Sequence, residues 1–89
     1  MYYLYILQCA DGMKYYGHTN NLTQRLYRHS KGQVLSTKDR RPLELVYYEE
    51  FDSRSKALRR ERQFKGGKTR KRTIERMINL FSKSVYVSP

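Results

Sequence analysis

Several residues that can handle a phosphate and a proton recur in this chain at spacings that bring them together. Tyr3-Leu4-Tyr5 and Tyr15-Tyr16-Gly17 are aromatic runs ten residues apart, with Asp11-Gly12 between them. Both runs suit strands and Asp-Gly suits a tight turn, so the two pair as a hairpin. That sets tyrosine hydroxyls from adjacent strands near one another, beside a glycine. Arg25 and His29 follow, four residues apart and so on one face of a helix. A guanidinium grips a phosphate through two parallel hydrogen bonds, and the imidazole of His29 can supply a proton or a phosphate contact, or be a plain surface residue. Glu61 is the one acid between Asp52 and Glu75, set among Arg54, Lys56, Arg59, Arg60 and Arg62. Tyrosines, a glycine, a guanidinium and a carboxylate in a basic chain are the parts a phosphodiester-handling site could use.

The elements must position these groups. Tyr2 to Cys9 is apolar on both faces except at Gln8, which suits a central strand covered on both sides. Met13 to His18 is its partner. Loop length decides which side chains share a face. A two-residue Asp11-Gly12 turn sends Tyr5 and Tyr15 to opposite faces. A three-residue loop over Ala10-Asp11-Gly12, with Gly12 left-handed, pairs Cys9 with Met13, sets Tyr5 opposite Gly17 and puts both tyrosines on one face. The sequence permits either, and the chemistry requires the second.

Asn20 or Asn21 caps a first helix reaching about Ser30, with Gly32 as its stop and Leu22 and Leu26 as its apolar seam. Residues 31–42 hold no periodic pattern and read as a basic loop closed by Pro42. Leu43 to Phe51 alternates as a third strand, with Leu43, Leu45, Tyr47, Glu49 and Phe51 on one face. Ser53 or Ser55 caps a second helix reaching about Lys65, ended by Gly66-Gly67. A third helix runs from about Thr69 to Phe81 on the spacing of Ile74, Met77, Ile78 and Phe81. The fold class is therefore mixed α+β: a small, mainly antiparallel three-stranded sheet with three helices, in the order ββαβαα. Residues 1–82 form a single domain and 83–89 a tail, either frayed or a short edge strand.

On the second helix Glu61 falls between Ala57 and Lys65 in the stripe that must face the core, a stripe roughly 120° wide with Phe64 and Leu58 at its borders. A carboxylate turned inward is costly unless it is paired or holds a metal. An ion pair with Lys65 or an arginine meets that need. So does Mg²⁺, which often takes only one or two protein carboxylates and completes its shell with water and phosphate.

Eighty-nine residues allow one small domain, and the net charge of +11 is extreme for that length. Lys and Arg run from Lys14 to Lys83, interleaved with tyrosines. Such a charge calls for an anionic partner, with nucleic acid ahead of a membrane surface. Cys9 is the one cysteine. It excludes an internal disulfide and fits a reducing, cytoplasmic setting, where it is a small buried apolar residue. No apolar run suggests export or membrane spanning.

The order and spacing of these residues resemble the GIY-YIG nuclease superfamily, most closely its small single-domain members, which are similar to the nuclease domain of the bacterial excision-repair endonuclease. The stretches that carry the resemblance are Tyr3-Leu4-Tyr5-Ile6-Leu7, Asp11-Gly12, Tyr15-Tyr16-Gly17, Asn21-Leu22, Arg25-Leu26, His29, Pro42-Leu43, Leu45-Val46-Tyr47, and Ala57-Leu58 followed by Glu61 and Lys65. They span Tyr2 to about Ile78. Two departures stand out: Tyr3-Leu4 replaces the glycine and isoleucine of the first motif, and Thr69 to Met77 lacks the asparagine that several active members carry.

The resemblance implies a metal-dependent DNA endonuclease, linked to DNA repair or processing. Tyr5, Tyr15, Gly17, Arg25, His29 and Glu61 match the catalytic positions. Arg25 would clamp the scissile phosphate, and Tyr5 or Tyr15 would take the proton from the attacking water. Glu61 would hold one Mg²⁺ or Mn²⁺. The basic residues His18, Lys31, Lys38, Arg40, Arg41, Lys65, Lys68, Arg70, Lys71 and Arg72 would track the backbone of DNA, or of RNA, without reading sequence. No small-molecule cofactor and no membrane partner is expected. A binding module on the same fold, without catalysis, is the competing expectation.

Overall fold

The central strand is β1 (Tyr2–Cys9), and its composition is the reason. Leu4, Tyr5, Ile6 and Leu7 are all buried, so consecutive side chains find cover on opposite faces. The computed structural model describes residues 1–81 and the backbone of 85–87. β2 (Lys14–Thr19) and β3 (Leu43–Phe51) flank β1 antiparallel, and β4 (Val85–Val87) pairs antiparallel with β3, giving the order β2-β1-β3-β4. The three expected strands are present in antiparallel pairing. The edge-strand alternative holds for residues 85–87, while 82–84 and 88–89 of the tail region lie outside the described residues.

The helices begin where their caps direct. Asn21 Oδ1 accepts from the Gln24 amide at 3.0 Å to open α1 (Leu22–Ser30), and Ser53 Oγ accepts from the Lys56 amide at 3.3 Å to open α2 (Arg54–Lys65). α3 (Lys71–Leu80) is shorter than the expected span, because Arg70 is still extended. α1 covers one face of the sheet, over Tyr5, Leu7, Cys9, Leu43 and Leu45, with Tyr15 and Tyr48 at the margin. α2 and α3 cover the other, where Phe64 and Ile74 meet Leu4, Ile6 and Val46. Each fully covered Leu or Ile contributes about 1.5–3 kcal/mol.

The unbroken alternation expected along β3 does not occur. The β1–β3 register shifts between Ile6↔Tyr47 and Leu7↔Leu45, leaving Val46 as an extra residue. Leu43 and Leu45 therefore face α1, whereas Val46, Tyr47 and Phe51 face α2 and α3. The 31–42 loop is also more than a basic tether. It contains a 3-10 turn over Lys38–Arg40, and Thr37 within it is completely buried.

Candidate active site

Hairpin register places the tyrosines. The Cys9 amide donates to Met13 O at 2.9 Å, the Gly12 amide donates to Cys9 O at 3.0 Å, and Gly12 has φ +86°. This is the three-residue loop, and it sets Tyr5 opposite Gly17 and Leu7 opposite Tyr15. Tyr5 and Tyr15 share the α1 face with ring centroids 6.2 Å apart.

His29 sits against both rings, 5.6 Å from that of Tyr5 and 5.2 Å from that of Tyr15. Sequence spacing left it as a phosphate contact, a proton donor or a plain surface residue. The structure rules out the surface residue, since His29 is 0% exposed. Its Nε2 lies 2.8 Å from Tyr5 Oη, and its Nδ1 lies 2.8 Å from Thr37 Oγ1. Burial first, then the Arg25 guanidinium, holds the imidazole down to about 4. Burial, with Tyr15 beside it, pushes the Tyr5 phenol far above the ordinary tyrosine range, and Arg25 pulls weakly the other way. In the free protein, then, Tyr5 keeps its proton and His29 is neutral.

Gly17 makes room for this cluster. A Cβ there would lie 2.6 Å from Tyr5 Oη, 2.7 Å from Tyr5 Cζ and 3.0 Å from Tyr15 Cε2. Its φ is not positive, so space and not backbone conformation demands the glycine.

Glu61 reaches the site from the other layer. It is buried, 8% exposed, beside Ala57 and Phe64 on α2. His18 Nδ1 donates to its Oε1 at 2.8 Å, and Lys65 Nζ approaches its Oε2 at 3.2 Å. Strand alternation puts His18 and Tyr16 on the α2 side, where Tyr16 stacks on Phe64 with centroids 5.6 Å apart. The tyrosine–histidine cluster and the carboxylate thus occupy opposite sides of β2, with side-chain-free Gly17 between them. The Glu61 charge nonetheless reaches Tyr5, acting to raise its pKa.

A cleft of about 300 Å³ joins the two layers at the end of β2. Its walls are Tyr2, His18, Thr19, Asn20, Arg25 and Arg54. Among the described residues neither Arg25 nor Arg54 forms an ion pair. Two unpaired guanidiniums facing one polar cleft can take up an anion. Arg54 and Thr37 are the site residues that spacing did not reveal. Arg54 looked like one of many arginines near Glu61, and Thr37 sits in a loop without periodicity.

The remaining basic residues are dispersed. Arg40 Nε pairs with Asp11 Oδ2 at 2.9 Å, and Arg41 donates to the carbonyls of Lys38 and Ser30. Lys31 lies over the Tyr27 ring, and Lys38 is exposed in the loop. Lys68, Arg70, Lys71 and Arg72 are exposed around the start of α3. Arg70 and Lys71 line a second groove with Lys14 at the hairpin tip, the opposite end of β2 from the Arg25–Arg54 cleft. Among the described residues no helix is long and apolar enough to cross a membrane.

An antiparallel sheet with a tyrosine hairpin at its edge, an arginine from the next helix and one buried carboxylate define a phosphodiester-handling domain. The chain belongs to the GIY-YIG family, a family of nucleases: the model of the GIY-YIG catalytic domain matches residues 1–75. It is similar to UPF0213 proteins, at 49% identity over 65 residues to that of Pediococcus pentosaceus, covering 72% of this chain and 68% of the relative. The protein of the same name from Staphylococcus saprophyticus is 45% identical over 65 residues, covering 72% and 79%. The solution NMR structure of the UPF0213 protein from Bacillus halodurans superposes with a TM-score of 0.53 at 33% identity, covering 90% of this chain and 85% of that one. Nucleic acid is the class of partner such a domain handles.

Proposed function

We propose that this protein is a metal-dependent DNA endonuclease that hydrolyses phosphodiester bonds by recognising the backbone, in the cytoplasm and in the service of DNA repair or processing. Residues 1–82 are its catalytic unit and 83–89 its tail. One observation supports this most: the cleft lined by Arg25 and Arg54 also takes in His18, which bonds the buried Glu61 carboxylate, while the Arg25 charge acts on Tyr5 and His29. Arg25 and Arg54 bind the phosphate oxygens, and Arg25 stabilises the charge that grows in the transition state. Tyr15, half-buried, takes the proton from the attacking water, with the covered Tyr5 behind it. The basic start of α3 and Lys14 hold the backbone roughly 20 Å away, the length of β2.

Glu61 is the residue to hold Mg²⁺ or Mn²⁺. No cluster of three or more His, Cys, Asp or Glu suited to a metal occurs among the described residues. The donor set fits a hard cation with a single protein carboxylate and a shell completed by water and phosphate. Lys65, half-exposed, is free to swing off Oε2, while His18 keeps Oε1 oriented. Such an ion, when bound, neutralises charge on the phosphate and on the leaving 3′-oxygen.

The test is cleavage of supercoiled and branched DNA with Mg²⁺ or Mn²⁺, by wild type and by Glu61→Ala. Cutting by wild type that is lost in Glu61→Ala while DNA binding persists is the expected result. Equal cutting by both refutes the metal assignment. No cutting by wild type, with salt-dependent binding intact, refutes the catalytic reading.

A further inference from the structure

We propose that Thr37 is a positioning residue that fixes His29 as the Nδ1–H tautomer, so that Nε2 is the acceptor for the Tyr5 hydroxyl proton and the buried chain runs in one direction. The proposal rests on the nuclease reading of the same site and adds to it a residue from the 31–42 loop.

The contacts argue the direction. Tyr5, His29 and Thr37 are each at most 1% exposed, so water does not complete their hydrogen bonds. The network holds three protons to donate: the Tyr5 hydroxyl, one imidazole N–H and the Thr37 hydroxyl. If Thr37 donated to Nδ1, the Nε2–H would point at Tyr5 Oη. The Tyr5 proton would then lose its acceptor at 2.8 Å, His29 Nε2, and be left the Tyr15 hydroxyl beside it, with which no hydrogen bond within 3.5 Å is formed among the described residues. In the opposite sense every proton has an acceptor. Tyr5 O–H donates to Nε2, Nδ1–H donates to Thr37 Oγ1, and Thr37 O–H reaches the Val34 carbonyl at 3.5 Å. That carbonyl is held in place, since it also accepts from the Thr37 and Lys38 amides at 3.1 and 3.0 Å. The loop therefore ends on a fixed acceptor, and fixing that end fixes the tautomer.

The consequence for chemistry is a defined proton path. When the Tyr5 O–H bond breaks, its proton forms a bond to His29 Nε2 and leaves an imidazolium. The phenolate oxygen receives the proton that arrives from the water side. The Nδ1–H and Thr37 O–H bonds stay intact, and the path resets when the proton returns by the same route. A neutral His29 and a protonated Tyr5 in the resting protein are the states this path starts from.

Nitrogen-15 NMR of the imidazole nitrogens tests it directly. The chain has two histidines, so the His29 signals are assigned by their disappearance in His29→Gln. Wild type is expected to carry the His29 proton on Nδ1. In Thr37→Val it moves to Nε2, and kcat for DNA cleavage falls by about 100-fold with KM unchanged, within the range of proton-transfer effects. Thr37→Ser, which keeps the hydroxyl, restores both. A wild-type proton on Nε2 overturns the proposal, and so does a Thr37→Val variant with tautomer and kcat unchanged. Should Thr37→Val fail to fold, the wild-type and Thr37→Ser spectra decide. A wild type that cuts no DNA overturns the nuclease reading, whereas the tautomer spectrum still decides the role of Thr37 by itself.

Discussion

Gly17→Ala probes the centre of the site with a single methyl group. The strand backbone accepts alanine, because φ at Gly17 is not positive. Restricting the unfolded chain would even favour the variant by about 0.4–1 kcal/mol. The methyl, however, would sit 2.6 Å from Tyr5 Oη, where ordinary contact begins at 3.4 Å. Tyr5 must retreat by about 0.8 Å to restore van der Waals separation. It is 1% exposed and bonded to an equally buried His29, so the movement takes the hydroxyl out of line with Nε2. Overpacking costs about 1–3 kcal/mol and a stranded buried hydroxyl about 1–3 more, for a net loss of roughly 1–5 kcal/mol after the backbone gain. For a domain of this size a loss in the middle of that range, about 3 kcal/mol, lowers Tm by roughly 12–24 °C. Thermal unfolding followed by circular dichroism measures it, and DNA cleavage at a temperature where the variant is folded measures the functional half. In a Tyr5→Leu background the same substitution should cost much less, because the atoms it meets are gone. An unchanged Tm in the single variant, or an equal penalty in both backgrounds, would refute the argument that Gly17 exists to make room for Tyr5.

Two further predictions concern charge. His29 is held at about 4 in the folded protein, below the ~6.5 of a free imidazole, so between these values the unfolded chain binds the extra proton. Its contribution is complete above about pH 6.5 and is lost as pH falls toward 4, about 3 kcal/mol in all. Urea melts from pH 4 to 7 should therefore show a steeper acid loss for wild type than for His29→Gln, and parallel curves would contradict it. Arg54→Ala should reduce the salt dependence of DNA binding by about one phosphate contact while leaving Tm within about 1 °C. An unchanged slope would remove Arg54 from the cleft's function.

Much of this arrangement was legible in the residues, and the illegible parts share a cause. The hairpin left two registers open, and the required one follows from a left-handed Gly12, a local property the sequence names. Glu61 was visible because helical projection alone puts it on the buried stripe. His29 was visible as a residue but not as a buried one. Its cover comes from Tyr5, Tyr15 and Thr37, which are remote from it in the chain or lie in a loop without periodicity. The Val46 bulge was hidden for a similar reason. Alternation along β3 reads cleanly by itself, and only the need to cover both faces of the sheet breaks it. Arg54 was lost among four basic neighbours, and the shape of a cleft, not residue type, singles it out.

The place of β2 at the edge of the sheet has a colloidal consequence. An edge strand can template pairing with another copy of the chain, and proteins guard against this with charge. Here the guard is the surplus of +11, which keeps copies apart by long-range repulsion. A polyanion that occupies the cleft and the α3 groove also cancels that repulsion. The chain is therefore most prone to self-association when crowded on nucleic acid at low ionic strength, and dispersed again once added salt strips the polyanion away.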